Sequence, residues 1–147
     1  MSTVFEKIIA GEIPGLFAWA DDVVVAFATI EPITPGHMLV VPRVPVDQFS
    51  DLDDDVLGHA AVVAARIGRA QRAAFDAPRS ALIVAGFEVP HAHLHVIPAW
   101  DQAAIALSNA RAADTSELRS ATERVREALR EMGWGAFVPS SISSPRL

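Results

Sequence analysis

Three of the five histidines in the sequence stand at alternate positions in the segment His91–Ile97, and each is followed by an apolar residue. Successive side chains of a β-strand point to opposite faces. A strand here would therefore align the imidazoles of His91, His93 and His95 in one row, with roughly 6–7 Å between neighbours. The intervening apolar residues would face the core. This spacing predicts a chemical site on one face of a strand.

The first interpretation of the histidine row is nucleophilic catalysis at phosphorus. A neutral imidazole can attack a phosphoryl group when one ring nitrogen is free and the other donates its proton to a fixed acceptor. The middle residue, His93, suits this role because it has a histidine on each side. One neighbour would orient the substrate and the other would protonate the leaving group.

Three alternatives compete with nucleophilic catalysis. A His-x-His pair on a strand can bind zinc, although a zinc site needs a third and a fourth ligand, and the obvious Asp and Glu candidates fall on a helix start or a solvent-facing end. The row could also belong to a non-catalytic nucleotide-binding or dimer-scaffold protein. Finally, it could be a satisfied polar row on an edge strand, although buried polar groups without partners cost about 1–3 kcal/mol each.

Composition limits the classes of partner. The formal net charge is −6, which disfavours nucleic-acid binding because phosphate-backbone contacts need clustered Lys and Arg. The chain has no cysteine, which excludes disulfides and thiolate metal sites. The N-terminal stretch lacks the pattern of a signal peptide, and no apolar run reaches the length of a membrane span. We therefore expect a cytoplasmic protein with no nucleic-acid or membrane partner.

The elements that position the histidines can be predicted from local patterns. Thr3 and Glu6 have the spacing of a capping box and predict a short helix. A second helix follows Asp51–Asp55, whose acids suit a helix N-terminus better than a metal site. A third helix begins at Asp114. The β-prone runs are Leu16–Trp19, Val23–Ala28, His37–Pro42, Ser80–Ala85 and the histidine segment, ending near Pro98. This pattern predicts an α+β fold with a largely antiparallel sheet.

At this point the sequence resembles a known family. The segment His91–Ile97 matches the histidine triad (HIT) motif, His-φ-His-φ-His-φ-φ, where φ is apolar. Three further blocks resemble family signatures in the same order: Phe5–Pro14, Val25–Phe27 leading to Ile30–Pro32, and Gly36–Pro42. Four ordered blocks are far more specific than the histidines alone.

The resemblance implies a five-stranded antiparallel sheet with a long helix and a C-terminal helix, paired as a homodimer across the long helix and a sheet edge. It also implies hydrolysis or transfer at the α-phosphorus of a nucleotide through a covalent nucleotidyl-histidine, with no metal or cofactor. His93 would be the nucleophile, with its tautomer fixed by the His91 carbonyl. His95 would contact the phosphate and leaving group, and His37 would complete the polar network. The nucleoside would lie among Phe5, Ile8, Phe27, Ile30 and Leu39.

Several residues depart from the family pattern. Thr29 replaces an aspartate that binds the ribose hydroxyls, and it can make one weaker contact at best. A glycine-rich loop and a Gln are replaced by a shorter connection in which Phe87 occupies the Gln position. Glu88 stands where a small polar residue is usual, and a carboxylate near phosphate is repulsive unless it is protonated, turned away or paired with a cationic substrate group. Pro45 replaces the fourth histidine of some members.

We predict a HIT-like domain over residues 1–132, with a motif-bearing core over 3–98 and a C-terminal tail over 133–147. The expected substrate is a nucleoside phosphoramidate or a (di)nucleotide polyphosphate. The alternative function is a non-catalytic or weakly active nucleotide-binding homodimer, because Thr29 and the Phe87–Glu88 connection depart from the pattern. The tail itself is expected to be either a docked arm or disordered.

Overall fold

The computed structural model describes residues 2–147, so Met1, the first residue of the predicted domain, lies outside the described residues. One five-stranded antiparallel sheet is combined with one short and two long α-helices. The elements in chain order are α1 (Val4–Ile9), β1 (Phe17–Ala20), β2 (Val24–Ala28), β3 (Met38–Pro42), α2 (Asp54–Phe75), β4 (Arg79–Ile83), β5 (Leu94–Ala99) and α3 (Thr115–Glu131). The predicted α+β fold is confirmed.

The strands are arranged in the order β1-β2-β3-β5-β4, and every neighbouring pair is antiparallel. Strand β5, which carries the end of the histidine motif, therefore lies between β3 and β4 and is not an edge strand. This excludes the interpretation of the histidines as a polar row on an edge.

Alternation along the strands divides the core into two layers. One face of the sheet packs against α2 and α3 through residues such as Met38, Val40 and Leu94. The other face carries α1 and a smaller cluster that includes Phe5, Phe27 and Leu39, next to the histidines. Polar side chains can be held on this second face because their ring nitrogens find backbone partners there.

The predicted histidine strand is shorter in the structure than expected. Strand β5 begins at Leu94, so His91 and His93 precede the paired strand and only His95 belongs to it. The Pro90 before the motif cannot donate to a sheet ladder, and the Ala92 amide instead donates to the Val46 carbonyl of a loop. The alternation of apolar and histidine side chains nevertheless persists, with the intervening residues buried.

The C-terminal tail is docked rather than disordered. Two backbone carbonyls of the tail accept hydrogen bonds from the core. The Ile142 carbonyl accepts the Phe17 amide of β1 at 2.7 Å. The Pro139 carbonyl accepts the buried Arg126 guanidinium of α3, which also donates to the Phe17 carbonyl, both at 2.7 Å. The Phe137 ring stacks on Trp19 with 4.7 Å between centroids. The tail therefore extends the core on the α3 side of the sheet. No helix among residues 2–147 is both long enough and apolar enough to cross a membrane.

Candidate active site

A cavity of about 730 Å³ opens on the α1 face of the sheet. Ten of the eleven residues predicted for the site line it: Phe5, Ile8, Phe27, Thr29, Ile30, His37, Leu39, Glu88, His93 and His95. The eleventh, His91, does not line the cavity and is completely buried next to it. The sequence patterns thus identify side chains that converge in space although they come from α1, β2, β3 and the approach to β5.

His91 ties the motif to α1 and β3. Its Nε2 donates to the Pro42 carbonyl at 2.7 Å, because a carbonyl can only accept. Its Nδ1 is then the acceptor of a neutral imidazole and receives the Thr3 hydroxyl at 2.9 Å. That hydroxyl oxygen also accepts the Glu6 amide as the N-cap of α1. Burial lowers the pKa of His91, which favours the neutral ring that this pattern requires.

His93 is held in the tautomer that a nucleophile needs. Its Nδ1 donates to the His91 carbonyl at 2.7 Å. In a neutral ring this leaves the lone pair on Nε2, the nitrogen that approaches Glu88 at the cavity. The ring edge packs against Phe5 with 4.9 Å between centroids, so its orientation is fixed on two sides.

His95 has the opposite tautomer, and a chain of hydrogen bonds determines it. The Ile33 amide donates to His37 Nδ1 at 3.0 Å, so the His37 proton is on Nε2. His37 Nε2 donates in turn to His95 Nδ1 at 2.9 Å. The His95 proton is therefore on Nε2, which is buried and has no hydrogen-bond partner among residues 2–147. The His95 ring lies 5.0 Å from the His93 ring between centroids, so a ring with an N–H donor neighbours the ring that carries the lone pair.

The pKa values of His37 and His95 are consistent with neutral rings in these tautomers. Burial, with a smaller effect from the charge of His95, lowers the pKa of His37 to about 3. Burial, together with the charge of His93, lowers the pKa of His95 to about 4. Both rings are therefore neutral at pH 7, as the chain of hydrogen bonds requires. The site then has no imidazolium from these two residues to balance phosphate charge.

The Glu88 carboxylate lies close to the histidine motif. Its Oε2 lies 4.0 Å from His93 Nε2, and the ligand atoms of Glu88, His93 and His95 all lie within 4.8 Å of one another. A metal needs lone pairs, however, and the His95 Nε2 carries a proton in the tautomer described above. Two lone-pair donors do not make a closed zinc site, so this donor set suits a metal poorly.

The apolar end of the cavity is built around aromatic rings. The rings of Phe5 and Phe27 meet edge to face with 5.5 Å between centroids. Ile8 and Leu39 complete this end, and Ile30 is 72% exposed at its rim. The Thr29 hydroxyl accepts the Glu31 amide at 3.2 Å, so one hydroxyl proton remains for a ligand. That Thr29 makes one contact with a ribose stays a prediction.

The C-terminal part of the chain contributes a wall of the cavity that the sequence did not predict. Six lining residues come from beyond β5: Leu107, Ala110, Thr115, Leu118, Arg119 and Ser143. The connecting segment is held to the loop after β2 because the Ala113 amide donates to the Ile30 carbonyl at 3.3 Å. The available signal was the i, i+4 spacing of Thr115 and Arg119 at the start of a predicted helix, which places both on one face.

Comparisons with known proteins relate this chain to one protein family. The family model described as HIT domain matches residues 10–102. The purine nucleoside phosphoramidase of Escherichia coli strain K12 is 35% identical over 101 residues, which cover 65% of this chain and 85% of that protein.

Two crystal structures have the same fold. A HIT-like protein from Bartonella henselae, described as involved in cell-cycle regulation, has a TM-score of 0.79 and 31% identity, with 87% of this chain and 96% of that chain covered. A zinc-bound histidine triad family protein from Mycobacterium smegmatis has a TM-score of 0.77 and 28% identity, with 92% and 98% covered. The resemblance inferred from the four sequence blocks is confirmed, and the chain belongs to the HIT family.

Proposed function

We propose that the protein is a hydrolase or nucleotidyl transferase that acts at the α-phosphorus of a nucleoside phosphoramidate or a (di)nucleotide polyphosphate, through a covalent nucleotidyl-His93. One observation carries the proposal: two rings that line the cavity, 5.0 Å apart between centroids, are held in complementary tautomers, with a lone pair on His93 Nε2 and a proton on His95 Nε2 that has no protein partner among the described residues. Nucleophile and donor are thus prepared before a substrate binds. The relationship to a purine nucleoside phosphoramidase supports the same reaction class.

In the proposed first step, the nucleoside occupies the apolar end of the cavity and the α-phosphorus lies over His93. The Nε2–P bond forms while the bond from phosphorus to the leaving group breaks, and the leaving group departs with the electron pair and takes a proton from water. The His93 ring becomes an imidazolium whose Nδ1 proton is held by the His91 carbonyl. The His95 N–H donates to a phosphoryl oxygen or to the leaving atom as negative charge develops.

In the proposed second step, water attacks phosphorus, the P–Nε2 bond breaks and the water proton passes to solvent. His93 then regains its lone pair. A different nucleophile in place of water gives transfer rather than hydrolysis. None of these steps requires a metal or a cofactor, because the imidazoles supply both the attacking group and the donor.

A second candidate function is nucleotide binding with little or no turnover. It is favoured by the Glu88 carboxylate, which lies 4.0 Å from the attacking nitrogen and repels a phosphate there. The two candidates differ in one measurable property, because only an enzyme releases a leaving group.

Turnover of a panel of nucleoside 5′-phosphoramidates and dinucleoside polyphosphates, covering all four bases, tests the proposal. We expect product release by the wild type and a loss of at least about 1,000-fold in kcat for His93→Ala, as expected when a nucleophile is removed. His59→Ala on α2 is the matched histidine control and should keep wild-type activity, because the His59 ring contacts Asp21 and does not line the cavity. Nucleotide binding without turnover, or equal turnover by wild type and His93→Ala, would contradict covalent catalysis.

We also propose that the protein forms a homodimer through α2 and β4. Strand β4 is at the edge of the sheet, and its Leu82 is 54% exposed. Ala61 and Ala65 of α2 line one groove with Leu82, so an apolar part of the helix and the unpaired edge of the strand lie on the same side of the protomer. Light scattering should show a dimer for the wild type and a shift toward monomer for Leu82→Arg. A monomeric wild type would contradict this assembly.

A further inference from the structure

The charge near the reacting nitrogen is unusual for a protein that binds phosphate. Glu88 lies 4.0 Å from His93 Nε2, and a glutamate carboxyl is ordinarily ionised at neutral pH. No Lys or Arg in the described part of the chain forms an ion pair with Glu88. The charge of this carboxylate is therefore not balanced by the protein.

The neighbouring histidines do not balance it either. The hydrogen bond from the Ile33 amide makes His37 a donor to His95, and both rings are neutral in this arrangement. His93 is neutral while it keeps the lone pair with which it attacks. A substrate phosphate that enters this site thus meets one unpaired negative charge and no positive one from the protein's histidine cluster.

The remaining charged groups of the cavity are Arg119 and Glu31. Arg119 belongs to α3, which packs against β1 and β2 rather than against β5, where the motif ends. The Glu31 amide donates to Thr29, which also places Glu31 just beyond β2. Neither group forms an ion pair with Glu88, whose contact of this kind in the described part of the chain is with His93.

Geometry also indicates which part of a substrate Glu88 meets. The nucleoside end of the cavity is formed by side chains of α1, β2 and β3, whereas Glu88 comes from the connection between β4 and β5. Its side chain is 58% exposed, so it faces the open part of the cavity rather than the apolar end. With the nucleoside bound at the apolar end, the leaving group extends toward this open part.

We propose that Glu88 selects the leaving group by its charge, an inference that rests on the proposed function. The preferred substrate is a nucleoside phosphoramidate whose amine leaving group carries a second, cationic group such as an ammonium a few bonds from the reacting nitrogen. A polyphosphate leaving group brings further negative charge to the carboxylate and is disfavoured. The cation of the correct substrate places beside Glu88 a positive charge that no Lys or Arg of the described residues places there.

The test uses three nucleoside phosphoramidates with the same nucleoside and linker, whose leaving amines end in an ammonium, a methyl or a carboxylate group. For the wild type we expect kcat/KM to fall in that order, by roughly 3- to 30-fold per step, as for a partly solvated unit charge a few ångströms away. Glu88→Gln should bring the three values within about twofold of one another on the same electrostatic argument. Glu88→Lys should reverse the order.

Phe87→Leu is the matched control, because Phe87 adjoins Glu88, is exposed and does not line the cavity. Phe87→Leu should keep the wild-type order of kcat/KM, with the ammonium substrate first and the carboxylate substrate last. Equal rates for the three substrates in the wild type, or an unchanged order in Glu88→Gln, would overturn charge selection while leaving His93-dependent turnover intact. Absence of His93-dependent turnover with all three substrates would overturn the proposed function and the selection together.

Discussion

Because the buried histidines are neutral, we predict that the free energy of unfolding decreases by a calculable amount at mildly acidic pH. The pKa values of His37 and His95 are about 3 and about 4 in the folded protein, against 6.5 for an ordinary histidine. As the pH falls below 6.5, the unfolded chain binds protons at these positions and the folded protein does not. The free energy of unfolding therefore decreases as the pH falls, down to the folded pKa values.

The magnitude follows from the width of this pH window. Between pH 7 and pH 5, each of the two histidines removes about 2 kcal/mol from the free energy of unfolding, or about 4 kcal/mol together. The lowered pKa of His91 acts in the same direction. The carboxyl pKa values of Asp21 and Asp114 are lowered from 3.8, so their contributions are lost only below that pH and do not affect this window.

The assay is urea unfolding followed by tryptophan fluorescence at pH 7, 6 and 5 and at constant protein concentration, for wild type and His37→Gln. Glutamine keeps an amide donor for His95 and an oxygen acceptor for the Ile33 amide but does not titrate. We expect the loss of stability between pH 7 and pH 5 to be about 2 kcal/mol smaller in His37→Gln. Equal losses in both proteins, or no loss in the wild type, would refute the neutral hydrogen-bonded chain.

Two further variants that remove a buried contact are expected to lower the free energy of unfolding. Thr3→Val removes the N-cap of α1 and the hydroxyl that donates to His91, so we expect a loss of about 1–3 kcal/mol in the free energy of unfolding by urea denaturation. Arg126→Met leaves the buried carbonyls of Phe17 and Pro139 without their guanidinium donor. We expect it to cost about 2–4 kcal/mol and to speed limited proteolysis of the tail that follows Pro139.

Matched controls accompany both variants. Ser2→Ala alters an exposed residue next to Thr3, and Arg130→Met removes an arginine whose ion pair with Glu127 is largely exposed. Each control should change the free energy of unfolding by less than about 0.5 kcal/mol. A Thr3→Val or Arg126→Met protein as stable as its control would contradict the structural role assigned to that side chain.

Much of the fold could be predicted because its local signals agree with one another. The predicted capping box at Thr3 is present at the start of α1, Asp114 is the N-cap of α3, and the helix predicted after Asp51–Asp55 corresponds to α2. The start of β5 could not be predicted, because it depends on long-range pairing that begins at Leu94. Alternation of side chains indicates extended backbone but does not show which residues have a strand partner.

For the candidate site, ten of the eleven residues predicted from the sequence line one cavity, but the sequence gives no sign of their proton states. The roles of His37 and His95 as donors depend on the Ile33 amide, and a backbone group of this kind has no sequence signature. The Thr3 hydroxyl was predicted as a helix cap, whereas its second contact with His91 joins positions 88 residues apart. The distance between Glu88 and His93 likewise depends on the path of the connection between β4 and β5.

The central claim is that His93 Nε2 becomes bonded to the nucleotide, and intact-mass spectrometry of a rapidly quenched reaction tests it most directly. Alkaline quenching within the first turnover preserves a phosphorus–imidazole bond, and peptide mapping locates it. We predict a mass increase of one nucleotidyl group, located on the peptide that contains His93 and absent in His93→Ala. Product release by the wild type with no such adduct at any quench time, or an unchanged adduct in His93→Ala, would contradict the claim.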